Sequence, residues 1–116
     1  MGLDCYFRSQ EPVTFPENGL LGELNSFYGR RYAPCVEAIS GCDLYEERLD
    51  ASAVQPIAAA LRGKLAEYQE YSSAPDLLVW RSSEGRYCDI TLHQLQQLVI
   101  VFEFASAQGF SLFNHS

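Results

Sequence analysis

Two stretches of the chain, 41 residues apart, read as the same unit: a short extended run, a helix cap, then an amphipathic helix. In the first, Arg48-Leu49-Asp50 leads into Ser52-Ala53-Val54-Gln55 and on to Ile57, Ala58, Leu61 and Leu65. In the second, Cys88-Asp89-Ile90 leads into Thr91-Leu92-His93-Gln94 and on to Leu95, Leu98, Val99 and Phe102. Ser52 to Gln55 and Thr91 to Gln94 both fit the S/T-x-x-E/Q capping box, whose side chains satisfy backbone N–H groups that a helix start leaves without partners. The chain is therefore expected to be organised around two long helices. The extended residues near Leu49 and Ile90 are placed to pair as a small two-stranded ribbon.

The first long helix is expected over residues 53–71, with Val54, Ile57, Leu61, Leu65 and Tyr68 as its buried stripe and Pro56 in its first turn. Ser72 to Pro75 should stop it. The second is expected over 92–108, apolar nearly all round in its middle and ended by Gly109. Leu20, Leu21, Leu24, Phe27 and Tyr28 fall at helical spacing, with Gly29 as a C-terminal cap, and Pro34 reads as the start of a further turn closed by Gly41. Leu3 to Arg8 alternates Leu3, Cys5 and Phe7 against Asp4, Tyr6 and Arg8, as a half-buried strand does. Residues 77–90 read as a hairpin turning at Glu84-Gly85, and 110–113 as a last strand. The predicted class is α+β: two main amphipathic helices packed on a small, mostly antiparallel sheet, in one compact domain over residues 1–116.

Composition supports folding without metal or disulfide help. The chain has 116 residues, 47% of them apolar, with seven Phe, seven Tyr and one Trp to fill a core. The opening Met1-Gly2-Leu3-Asp4 has no basic segment or long apolar run after it, so no secretory signal is expected. Tyr6 stands where a myristoylation motif wants Ser or Thr. The longest apolar run, Leu98 to Phe102, is too short to span a bilayer, and a cytoplasmic location with no membrane contact is expected. Cys5, Cys35, Cys42 and Cys88 lack the C-x-x-C spacing of zinc or redox sites, and read as free thiols, mostly packed.

The formal net charge is −7, which disfavours nucleic acid and anionic membrane. Between Glu37 and Asp50 stand five carboxylates, Glu37, Asp43, Glu46, Glu47 and Asp50, against the single base Arg48. This run has two readings: a solvated loop that keeps the protein soluble, or a docking surface for a basic partner. In the second reading Tyr45 is the aromatic anchor, and Asp43, Glu46, Glu47 and Asp50 supply the charge. These four do not place oxygens at alternating positions, and no central Gly or closing Glu follows, so no calcium loop is expected. No metal, cofactor or catalytic residue is assigned. Cys88 with His93, at one helix start, is the best thiol–imidazole pair, but it lacks a third orienting group. Arg30 and Arg31, between Tyr28 and Tyr32, are expected to pair within the chain rather than with phosphates.

The opening Met1-Gly2-Leu3-Asp4 followed by an aromatic strand resembles short bacterial and phage proteins that begin MGLD and have no assigned function. From Leu49 onward the chain is similar to another small bacterial group, in which a capped helix precedes a second helix ending Ala-x-x-x-Gly-x-x-Leu-x-Phe. Ala105, Gly109 and Leu112 match that ending. Phe113 directly follows Leu112 rather than standing one beyond it, and the group's acidic Asp-x-Asp-Gly turn is reduced to Asp43. These motifs are caps and packing residues, so the resemblance implies a fold and transfers no activity.

Size, acidity and the carboxylates beside Tyr45 lead to a first expectation: a small protein-binding module, such as an immunity protein or inhibitor, that occludes a basic partner. The alternative is a homo-oligomeric structural or accessory protein joined through its apolar last helix. An enzyme is not expected.

Overall fold

A computed structural model describes residues 3–9, 13–16, 19–22, 25–70, 77–81, 85 and 87–115. In chain order the elements are β1 (Asp4–Arg8), β2 (Ser26–Tyr28), α1 (Gly29–Ser40), β3 (Arg48–Leu49), α2 (Ala51–Glu70), β4 (Leu77–Arg81), β5 (Tyr87–Thr91), α3 (Leu92–Gln108) and β6 (Ser111–His115). The class is α+β, with every strand pairing antiparallel. The main sheet has the order β2-β1-β6-β3, and β4-β5 forms a separate hairpin.

Alternation decides which way each strand faces. Cys5 and Phe7 of β1, Phe27 of β2, Leu49 of β3, and Leu112 and Asn114 of β6 turn inward and are buried. Phe7 is the centre of an aromatic cluster, with ring centroids 5.5 Å from Phe15, 6.1 Å from Phe27 and 5.4 Å from Phe102, the last edge-on at 83°. Helices α2 and α3 pack along each other beneath the sheet. The expected stripe of α2 is inside: Val54, Ile57 and Leu61 are fully buried, Leu65 nearly so, and half-buried Tyr68 meets Trp80 of the hairpin edge-on.

Helix α3 starts as its sequence implies. Thr91 accepts a hydrogen bond from the Gln94 N–H at 3.1 Å, and Gln94 Oε1 accepts one from the Thr91 N–H at 2.8 Å. Gly109 and Gly41 close α3 and α1 in the left-handed conformation, at φ 72° and 78°. Helix α2 departs from the reading. It begins at Ala51, and the Asp50 carbonyl accepts from Ala53 and Val54, so Asp50 stands at the cap position and Ser52 lies inside the first turn. Pro56 is thus the sixth helical residue, as Pro34 is in α1. Each removes a hydrogen bond to the carbonyl four residues back, at Arg30 and Ser52, both on exposed residues where solvent can reach the backbone.

The region before α1 also differs. Ser26–Tyr28 is a strand paired with β1, and Gly29 starts a helix instead of ending one. Phe27 is held in the aromatic core, which overrides the helical spacing of the leucines before it. Gly29 is buried, and its N–H donates to the Leu3 carbonyl at 2.7 Å. A Cβ there would collide with Cys5 Sγ and stand 3.0 Å from a Leu3 methyl. The expected Leu49–Ile90 ribbon does not form. Leu49 pairs with Leu112 and Ile90 with Leu78: β3 adds to the free edge of β6 in the main sheet, while β5 is taken up by its hairpin partner β4. The proposed stop at Ser72 to Pro75, Leu24, and Glu84 of the hairpin turn lie outside the described residues.

Candidate functional site

The acidic segment folds into a tight turn between α1 and β3. Asp43 Oδ1 accepts from the Tyr45 N–H at 2.9 Å, and the Asp43 carbonyl accepts from the Glu46 N–H at 3.2 Å. A short acidic side chain that bonds the backbone two residues on is a turn-forming device. It sets Tyr45 half-buried against the core and leaves Glu46 and Glu47 exposed. Asn114 fastens this turn to the sheet. Its side-chain Nδ2 donates to the Glu46 carbonyl at 2.7 Å and its backbone N–H donates to the Glu47 carbonyl at 2.9 Å.

The outer face of the sheet lies beside the turn. Tyr6 and Phe113 are cross-strand partners on the two central strands, stacked at 5.8 Å with 17° between their planes. Two guanidiniums lie over the Phe113 ring, Arg8 at 5.2 Å from β1 and Arg48 at 5.3 Å from β3. Arg48 also pairs through Nε with Asp50 Oδ1 at 2.8 Å, and both side chains are exposed. Tyr28, half exposed on the edge strand, and His115, opposite Asp4, extend the same face. Where turn and sheet meet, Tyr6, Tyr45, Glu47, Arg48, Phe113, Asn114 and His115 line one open cleft.

Of the five residues that the sequence nominates for a partner, the structure therefore brings Tyr45 and Glu47 into one cleft, with Glu46 next to them. Asp43 shapes the turn, and Asp50 holds Arg48 while it caps α2. Tyr6, Phe113 and Asn114 were not nominated. The available signal was an aromatic on the polar side of an alternating strand, Tyr6 between Asp4 and Arg8. The matching signal on β6 was lost because the strand was expected to stop at Phe113.

The other nominated groups have local roles. Cys5 is fully buried on the inner face of β1. Burial, helped by the nearby Asp4 charge, pushes its thiol up to about 12, so it stays protonated and a poor nucleophile. The Cys88 side chain lies outside the described residues. His93 is exposed, with Nε2 3.2 Å from the Gln97 amide nitrogen. Arg31 donates to the Asp89 carbonyl at 3.3 Å and so joins α1 to β5. The apolar residues of α3 that motivated the self-association reading are largely taken up by the core, and Ile100 is the one large apolar side chain of this helix that is exposed. Among the described residues no three His, Cys, Asp or Glu stand together as metal ligands, and no helix is long and apolar enough to cross a membrane. No family model, curated protein or solved structure matches the chain.

Proposed function

We propose that this protein is a small binding module that occludes a basic protein partner, in the manner of an immunity protein or inhibitor. It docks through the outer face of the four-stranded sheet and the acidic turn beside it. The observation that carries this reading is the junction itself: Tyr45 and Glu47 of the turn share one cleft with Tyr6 and Phe113 of the sheet. Aromatic groups at the centre with charge at the rim are the composition of strong protein interfaces. The carboxylates of Glu46 and Glu47 speed encounter with a basic surface more than they add affinity. A net charge of −7 weighs against nucleic acid or anionic membrane as the partner.

The test is capture from host lysate at low and high salt, with Glu46→Gln/Glu47→Gln as the control. Asp43 is left intact because its carboxylate builds the turn. A basic protein held by the wild type, released by salt and associating roughly tenfold more slowly with the double variant is the expected result. A partner held equally by both proteins at both salts would remove the acidic docking surface.

A further inference from the structure

Toward the start of β6, away from the acidic turn, a second open hollow is lined by hydrogen-bond donors. Arg8 and Ser9 border it where β1 ends, Arg48 on β3, Gln108 and Ser111 where α3 turns into β6, and Phe113 beneath. Among the described residues no carboxylate lines it. The whole chain has 15 acidic residues against 8 lysines and arginines, so this hollow reverses the charge balance locally. Strand order builds it. β1 and β3 flank β6 on its two sides, and each delivers one arginine onto the Phe113 ring, at 5.2 Å and 5.3 Å from its centroid. One ring thus holds two like charges close together, a repulsion that a nearby anion relieves. Arg8 makes no ion pair among the described residues. Asp50 meets Arg48 through Nε at 2.8 Å but does not line the hollow.

We infer that this hollow binds a small phosphate-bearing ligand, which goes beyond the docking reading and does not depend on it. A guanidinium fork matches phosphate oxygens. Two forks arriving from different strands suit a tetrahedral dianion better than a planar carboxylate, which one fork can satisfy. The Ser111 hydroxyl and the Gln108 amide add neutral donors at the rim. The hollow holds about 710 Å³, which leaves room for an organic group beside the phosphate. With the anion in place, this end of the sheet no longer repels a basic partner.

The test needs no partner protein. Inorganic phosphate, phenyl phosphate and acetate are titrated at constant ionic strength into the ¹⁵N-labelled protein, above neutral pH where phosphate is largely a dianion. Binding is followed through the Ser9, Gly109 and Ser111 backbone amides. Expected are saturating shifts with both phosphates and roughly tenfold weaker binding in Arg8→Gln. Arg62→Gln removes the same charge from the α2–α3 pair and should leave binding unchanged. Tighter binding of phenyl phosphate would mark the ligand as a phosphomonoester, and equal affinity would mark it as free phosphate. Shifts that do not saturate, acetate bound as tightly as phosphate, or equal weakening in Arg8→Gln and Arg62→Gln would overturn the assignment.

Discussion

Gly29 lies where β2 passes into α1 with its backbone pressed against β1, and the close approach leaves no room for a side chain. Gly29→Ala must displace Cys5 Sγ or the Leu3 side chain from a packed core, which costs about 1–3 kcal/mol as overpacking does. In a Cys5→Ala background the same substitution should cost measurably less, read as non-additivity in denaturant unfolding. The Cys5 thiol offers a second check. Its folded pKa of about 12 lies above the ordinary 9.0, so the stability tied to the neutral thiol is complete below pH 9 and declines as pH rises toward 12. The inward face of β1 was legible from alternation alone. The need for Gly29 was not, because a glycine followed by a helical stretch looks the same in sequence whether it ends one helix or begins another against a neighbouring strand.

The two long helices carry most of what the sequence disclosed. With α2 starting at Ala51, a constant offset of 41 residues matches Val54, Ile57, Ala58 and Leu61 to Leu95, Leu98, Val99 and Phe102, all buried. The same offset matches Arg62 to Glu103, which meet across the helix pair. Arg62 Nε donates to Glu103 Oε2 at 2.9 Å and Nη2 donates to Oε1. Hydrogen bonding to Arg62 holds the Glu103 carboxyl below its ordinary 4.5. The pair's contribution is therefore present above pH 4.5 and fades as pH falls through the lowered value. Both side chains are substantially exposed, so a double-mutant cycle with Arg62→Ala and Glu103→Ala should return a coupling of about 0.2–1 kcal/mol at neutral pH that shrinks as the pH is lowered and Glu103 takes up its proton. The caps of α3 could be read in advance because a capping box is local chemistry. The start of α2 could not, since Asp50, two residues upstream of the apparent Ser52 box, takes the cap position.

At the scale of the whole molecule, the candidate surface exists only because β1 and β6 lie side by side. That pairing places Tyr6 against Phe113, and the β3–β6 pairing on the other side brings Asn114 to the Glu46–Glu47 turn. Strand order is a long-range property, and no spacing within 4–8, 43–50 or 111–115 reveals it. The acidic turn was legible as a charge cluster. Its aromatic floor and buried Asn114 were not, because these residues come from opposite ends of the sequence. Hydroxyl-radical footprinting of the side chains, with and without a basic partner captured at low salt, tests the docking face most directly. Tyr6, Tyr45 and Phe113 are expected to lose reactivity in the complex while Tyr68 and Trp80, on the α2–hairpin side, keep theirs. Protection of Tyr68 and Trp80 with Tyr6, Tyr45 and Phe113 unchanged would place the partner on the hairpin side and contradict the sheet-face interface.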